Sequence, residues 1–127
     1  MPIARSETQF RYLVALRMRE AKALLREKHW AGAAYLAGYI AECALKALIA
    51  SRQTDKTLPR QYTIHDIQAL ADASEADLEH DERALVAQAA NWSHLLRYEC
   101  KAPAAREVVD LLNACSEVAR CILKKVR

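Results

Sequence analysis

The chain has 127 residues, of which 53% are hydrophobic and 28% are charged, and its formal net charge is +3. Its 2 glycines and 3 prolines are too few for a β-sandwich or a barrel, and its hydrophobic content is too high for a disordered chain. Alanine, the strongest helix former, supplies much of that hydrophobic content. We therefore predict a single all-α domain over residues 1–127. The expected architecture is an up-and-down helical bundle of four to five helices with a central antiparallel helix hairpin.

The charge is unevenly distributed along the chain. Residues 1–60 carry 11 Lys and Arg against 5 Asp and Glu, whereas residues 61–100 carry 2 against 8. A basic surface formed by the first helix and the C-terminal end is suited to nucleic acid or to an acidic partner. An ordinary solvated helix face has the same composition, so both interpretations stay open.

Capping signals and hydrophobic spacing predict the first two helices. Ser6 and Gln9 fit a capping box, and hydrophobic residues recur at helical spacing from there to about Lys28. A second helix is predicted from about Trp30 to Arg52. It is apolar almost all round, so we expect it to be the most buried element.

The remaining elements are predicted from polar segments and cap residues. Residues 51–63 are polar and contain a proline, which predicts a loop. Thr63 and Ser74 are the predicted caps of the next two helices, the second of which ends at about residue 91 or further on towards residue 98. Pro103 is predicted in the first turn of a last helix that ends at about Lys125. The inner face of that helix is expected to consist of Val108, Leu111, Leu112, Cys115, Val118, Ala119 and Ile122.

Two charged residues fall within hydrophobic helix surfaces. Arg17 lies in the apolar stripe of the first helix, and Glu42 lies in the apolar surface of the second. In an antiparallel hairpin that turns near residues 29 and 30, opposed residue numbers sum to about 59, as 17 and 42 do. We therefore predict a buried ion pair between Arg17 and Glu42. The alternative is a surface pair between Glu42 and Lys46, one turn further along the same helix.

The sequence contains no motif for a metal, a cofactor or a membrane span. The cysteines at positions 43, 100, 115 and 121 lack zinc-site spacing and are interpreted as reduced thiols. Gly32 and Gly38 lie inside the second predicted helix rather than in a phosphate-binding loop. Its long apolar run contains Glu42 and Lys46 and is too polar to cross a bilayer. The first residues are polar and do not resemble a signal peptide. We expect a cytoplasmic protein without a metal or cofactor.

Three segments, taken in order, resemble the HEPN-domain family. Residues 30–48 (WAGAAYLAGYIAECALKAL) resemble its second helix, which commonly reads as a Trp, an Ala/Tyr-rich turn, "GY", a Glu and "LKAL". Residues 63–67 (TIHDI) resemble its "H-D-L" helix start, and residues 92–98 (WSHLLRY) resemble its "W-x-x-x-x-R-Y". The resemblance covers about residues 8–125.

This resemblance implies a small helical bundle that usually forms a homodimer. Many family members are encoded beside a minimal nucleotidyltransferase and form a toxin–antitoxin pair with it. Many others are metal-independent endoribonucleases, in which an Arg, four to six residues and a His lie at the start of a late helix. Two copies of that motif meet across the dimer, where the Arg helps to hold the phosphate and the His acts near the 2′-hydroxyl.

The chain departs from the ribonuclease pattern. No histidine follows Arg97 and Tyr98 at the family's spacing, and His94 lies on the wrong side of Arg97. Arg60 and His65 have a matching spacing, but they lie in the loop before the third predicted helix. The resemblance is therefore to the nucleotidyltransferase-associated type that lacks the ribonuclease motif at its usual position.

Three functional hypotheses follow. The first is a non-catalytic HEPN-like module of a toxin–antitoxin or nucleotidyltransferase-associated system, which binds a nucleotide, an RNA or a nucleotidyltransferase partner. Its binding residues would be Glu42, Lys46, His65, Arg97 and Tyr98. The second is a metal-independent endoribonuclease toxin that uses Arg60 and His65. The third is a dimeric adaptor that binds only protein.

Overall fold

The computed structural model describes residues 3–96 and 103–126, and it describes side chains for residues 3–91 and 103–126. In these residues the chain forms five α-helices and no β-strand, so the predicted all-α fold is confirmed. A single 3₁₀ turn lies in the loop between the second and third helices. The helices are α1 (Glu7–Arg26), α2 (Trp30–Ser51), α3 (Ile67–Ser74), α4 (His80–Leu96) and α5 (Ala105–Leu123), and the 3₁₀ turn is Arg60–Tyr62.

The capping box predicted before α1 is confirmed. The Ser6 hydroxyl accepts a hydrogen bond from the Gln9 backbone N–H at 3.2 Å, and Gln9 Oε1 accepts one from the Ser6 N–H at 3.0 Å. Two backbone donors that would otherwise lack a helical partner are satisfied in this way. The first helix therefore begins where local sequence chemistry places it.

Helices α1 and α2 form an antiparallel hairpin. Because α1 ends at Arg26 and α2 begins at Trp30, the chain has only a short turn in which to reverse. Lys28 in that turn adopts a φ of 62°, a left-handed conformation that side-chain-bearing residues rarely adopt. The two helices pack along each other and form the largest helix contact among the described elements.

Helix α2 is the central element of the bundle and packs against α1, α3, α4 and α5. Nearly every residue in its second half is buried, and many of its inward positions are alanine, which lets the neighbouring helices approach closely. By length and composition α2 could cross a membrane, but 83% of its most apolar window is buried inside the domain. That burial is what a core helix requires.

The cap of α3 differs from the prediction. Its N-cap is Asp66, whose side chain accepts a hydrogen bond from the Ala69 N–H at 3.0 Å. Thr63 is engaged elsewhere, because its hydroxyl donates to the Arg60 carbonyl at 2.6 Å and closes the 3₁₀ turn. The helix therefore starts three residues later than a Thr63 cap would allow.

The start of α4 also differs from the prediction. Ser74 lies in the last turn of α3, where its hydroxyl donates to the Ala71 carbonyl at 2.7 Å. Glu75 follows with a φ of 52°, and this left-handed residue ends the helix. Helix α4 then begins only at His80, so Ser74 caps no helix start.

Helix α5 closes the bundle against α2 and α4. All seven residues of its predicted inner face are buried. Pro103 lies just before the helix rather than in its first turn, because Ala104 is the N-cap. Helix α4 reaches Leu96, within the predicted range. The predicted binding residues Arg97 and Tyr98 lie outside the described residues.

The N-terminal segment is tied to the loop that follows α2. The Leu58 N–H donates to the Arg5 carbonyl at 2.7 Å, and the Glu7 N–H donates to the Lys56 carbonyl at 3.0 Å. Leu58 is buried in the core and anchors the loop from inside. These contacts fix the path of the chain towards α3, where His65 is located.

Candidate functional site

A cavity of about 550 Å³ lies between α1, α2, the N-terminal segment and the loop before α3. Its wall combines aliphatic side chains with a small number of polar groups, which is the usual make-up of a ligand site. Three charged side chains and one imidazole line it, namely Arg17, Glu42, Lys46 and His65. Three aromatic side chains also line it, namely Phe10, Tyr35 and Tyr39.

Glu42 and Lys46 form a buried ion pair on one face of α2. Lys46 Nζ donates to Glu42 Oε2 at 2.9 Å, and the two side chains are 9% and 7% exposed. Removing each charge from water costs several kcal/mol, so each requires the other as a partner. This is the alternative contact left open by the sequence, but it is buried rather than on the surface.

The predicted ion pair between Arg17 and Glu42 is not formed, although both residues lie in the described part of the chain. Arg17 Nη1 instead donates to Glu20 Oε1 at 2.5 Å, one turn along α1. That pair is partly exposed, with side-chain exposures of 32% and 42%. Opposed positions in the hairpin do bring Arg17 and Glu42 to the same cavity, but each takes a partner on its own helix.

His65 reaches Glu42 from the loop before α3. Its Nδ1 atom lies 3.1 Å from both Glu42 carboxylate oxygens. An ionised carboxylate only accepts hydrogen bonds, so Nδ1 carries the hydrogen and donates. The imidazole is 55% exposed, whereas the carboxylate is buried. Three of the five predicted binding residues, Glu42, Lys46 and His65, are thus in direct contact as a cluster.

Two tyrosines extend the cluster along α2. The hydroxyl oxygens of Tyr35 and Tyr39 are 3.0 Å apart, and their rings meet edge to face at 5.2 Å. The Tyr39 ring also meets the His65 ring edge to face at 6.0 Å. The sequence prediction omitted both tyrosines from the site. Their helical spacing from Glu42 is the signal that places them on the same face of α2.

Cys43 lies beside the cluster, but its thiol is unreactive near neutral pH. Burial, and to a smaller extent the neighbouring Glu42 carboxylate, raises the pKa of its thiol to about 12 against the opposing charges of Lys46 and Arg17. The thiol is therefore protonated near neutral pH and is a poor nucleophile. Burial likewise raises the pKa of Cys115 to about 12. Both are free thiols, as is Cys121.

Arg60 and His65, the alternative catalytic pair, have different surroundings. His65 lines the cavity, whereas Arg60 is exposed in the 3₁₀ turn and is not part of the cavity wall. Among the described residues, the Arg60 side chain has no ion-pair partner. In the same part of the chain, no group of three or more His, Cys, Asp or Glu residues is placed to hold a metal ion.

The geometry defines an all-helical domain with a charged, aromatic-lined cavity against its central hairpin. The HEPN-domain family model matches residues 16–126, and the chain therefore belongs to the HEPN family. The family identified from residues 30–48, 63–67 and 92–98 is thus confirmed. No curated protein and no solved structure matches the chain.

Proposed function

We propose that this chain is a non-catalytic HEPN binding module whose cavity takes one nucleotide unit. The observation that carries the proposal is the buried ion pair of Glu42 and Lys46, which His65 joins at the cavity wall. A core helix gains little stability from such a pair compared with apolar residues of similar size. In a cavity that recognises a polar ligand, the same two charged groups can bind that ligand.

The cavity lining offers a group for each part of a nucleotide. Arg17 and Lys46 are cations suited to a phosphate, and the guanidinium can bind it through two parallel hydrogen bonds. Tyr35 presents an aromatic surface on which a base can stack. Glu42 has lone pairs for base or ribose donors beyond those used by Lys46 and His65. The volume of about 550 Å³ lies within the range of small-molecule sites.

The wider setting is also part of the proposal. The family resemblance of residues 30–48 supports a nucleotidyltransferase-associated or toxin–antitoxin role, in the cytoplasm and as a homodimer with a nucleotidyltransferase partner. Light scattering on the purified chain tests the dimer. Co-expression with a minimal nucleotidyltransferase, followed by co-purification, tests the partner. The position of Arg60 outside the cavity wall supports a non-catalytic role.

Isothermal titration calorimetry with the four ribonucleoside monophosphates tests nucleotide binding. We expect at least one to bind, and Arg17→Gln to weaken that binding about tenfold through loss of a charge-assisted phosphate contact. The matched control is Arg11→Gln, because Arg11 is also on α1 and also pairs with a glutamate, Glu7, but does not line the cavity. Absence of heat for every nucleotide would reject the proposal and favour the protein-binding adaptor.

One observation favours an endoribonuclease as a second candidate. Glu42 orients the His65 ring through Nδ1, which is how carboxylates orient catalytic histidines. An RNA-cleavage assay in the presence of EDTA separates the two functions. Specific cutting that is lost in both Arg60→Ala and His65→Ala would replace the binding module with the metal-independent nuclease.

A further inference from the structure

The outward face of α1 carries a line of exposed residues that the cavity does not use. Positions 12, 15, 19, 22 and 26 recur at intervals of three and four, and all five residues are exposed. This spacing keeps them on one side of the helix. The buried residues Phe10, Val14 and Ala21 lie on the other side, against the core. We call Tyr12, Arg19, Lys22 and Arg26 the outer stripe.

The outer stripe has an uncompensated positive charge. Helix α1 contains two acidic residues, and both are already paired: Glu7 with Arg11 and Glu20 with Arg17. The three cations of the outer stripe form no ion pair with any described residue, although Glu27 follows soon after the helix. The acids of α1 therefore neutralise the cations beside the core and leave the outward cations unneutralised.

An exposed aromatic ring continues the line of cations. Tyr12 is 61% exposed, one of few large apolar side chains that the described part of the chain leaves in solvent. At 1.5 Å per residue, Tyr12 lies about 10 Å from Arg19 along the axis, and Arg19 lies about 10 Å from Arg26. A row of cations next to an aromatic platform is the combination with which proteins hold single-stranded nucleic acids.

We infer that the outer stripe of α1 binds a single-stranded polynucleotide, with phosphates on Arg19, Lys22 and Arg26 and a base stacked on Tyr12. The positive charge of the stripe is complementary to a phosphate backbone. A membrane surface fits less well, because α1 directs its bulky apolar side chains into the core and not outwards. A folded acidic protein offers carboxylates to the cations but no unpaired base to stack on the Tyr12 ring.

This surface is separate from the nucleotide cavity. Arg17, which lines the cavity, is not part of the outer stripe, and its position on α1 faces α2. The inference therefore goes beyond the proposed function and does not depend on it. The Arg17→Gln variant, which changes only a partly exposed pair, should weaken mononucleotide binding in the cavity and keep polynucleotide binding on the stripe.

Fluorescence anisotropy with a labelled twelve-nucleotide oligo(U) and the matching oligo(dT) tests the inference. For three phosphate contacts on a single strand, the plot of log affinity against log salt should have a slope of about −2. Binding of either oligonucleotide supports the inference, and the difference in affinity shows whether the surface prefers RNA or DNA. A duplex of the same length that binds more tightly than both would overturn it.

A charge-reversal pair locates the binding surface. Arg19→Glu with Arg26→Glu should weaken binding about tenfold or more and reduce the salt slope to about −0.7, since one contact remains. The matched control is Arg106→Glu with Lys124→Glu, which makes the same change in net charge at exposed positions of and beside α5. Equal weakening in both variants would show that only net charge matters and would overturn the inference.

The aromatic contact has its own test. Tyr12→Ala should weaken binding about fivefold or more, whereas Tyr12→Phe should keep the affinity because the ring surface is retained. Circular dichroism should be unchanged in both variants, since the side chain is mostly in solvent. Equal affinity of Tyr12→Ala and the unaltered chain would remove the stacking contact and with it the assignment to a single strand.

Discussion

The Nδ1 atom of His65 lies 3.1 Å from each carboxylate oxygen of Glu42, although the two residues are 23 positions apart. Glu42 thereby joins the central helix to the loop before α3, and it also holds Lys46 on its own helix. A single buried carboxylate thus organises one side of the cavity. Its removal should affect both the stability of the domain and the position of the loop.

Glu42→Leu should destabilise the domain by about 3–5 kcal/mol, because it leaves the Lys46 ammonium buried without its counter-charge. Urea unfolding followed by circular dichroism measures the change. Adding Lys46→Leu should recover most of the loss, since the second charge is then removed as well. Recovery by Arg17→Leu instead would show that the charge opposite Glu42 in the hairpin is its true partner.

Arg17→Leu alone should change the free energy of unfolding by about 0–1 kcal/mol. Its pair with Glu20 is partly exposed, and pairs of that kind contribute little. The same unfolding experiment measures it, with Glu20→Gln as the control for loss of the pair from the other side. A loss comparable with that of Glu42→Leu would contradict the assigned partners.

Asp66→Ala should destabilise the domain by about 0.5–2 kcal/mol, because Asp66 caps α3 through the Ala69 N–H. Thr63→Ala is the matched control. It removes a hydroxyl that closes only the 3₁₀ turn, and we expect a smaller loss. Thermal unfolding of both variants provides the comparison. The opposite order would restore Thr63 as the helix cap.

Cys43 should react very slowly with iodoacetamide at pH 8. With a pKa of about 12, its thiolate population is about a thousandfold smaller than that of an unperturbed cysteine. Mass spectrometry of timed digests measures the alkylation at each cysteine. The rate should rise to that of a free cysteine in guanidinium chloride, and equal rates in the folded and unfolded chain would contradict the burial.

The stability of the domain should fall as the pH rises above about 9. The pKa of Cys43 and that of Cys115 are raised to about 12 in the folded chain, so the unfolded chain releases these protons first. Their contribution is complete below the unfolded pKa and is lost as the pH approaches 12. The free energy of unfolding should therefore fall less between pH 8 and pH 10.5 in the Cys43→Ala/Cys115→Ala variant than in the unaltered chain. Urea unfolding at the two pH values measures this difference.

Features set by neighbouring residues could be predicted from the sequence. The Ser6 capping box, the buried face of α5 and the burial of α2 depend on local hydrogen bonding and on hydrophobic spacing, and all three are confirmed. The prediction that Thr63 caps α3 is wrong, because both Thr63 and Asp66 are residue types that suit an N-cap. The choice between them depends on the 3₁₀ turn, which only the tertiary path of the loop creates.

The candidate site could be predicted only in part. Glu42 and Lys46 are both named by the sequence analysis, but it prefers Arg17 as the partner of Glu42 and gives Lys46 only as the alternative. The sum of residue numbers in a hairpin shows which backbone positions are opposed. It does not show which of several charged groups within reach a long side chain will contact. For Glu42 that is Lys46, one helical turn away. Tyr35 and Tyr39 were missed because aromatic residues on a helix usually serve packing.

The buried alanines of α2 hold its backbone close to four neighbouring helices, so the part of the cavity wall that α2 forms is tightly packed. Another part of the cavity wall is formed by the N-terminal segment and the loop that follows α2, which are joined by the hydrogen bond from the Leu58 N–H to the Arg5 carbonyl. If a ligand binds as proposed, its charged contacts lie on the α1 and α2 walls, and any adjustment of the cavity to its shape would fall on the segment joined through Arg5 and Leu58.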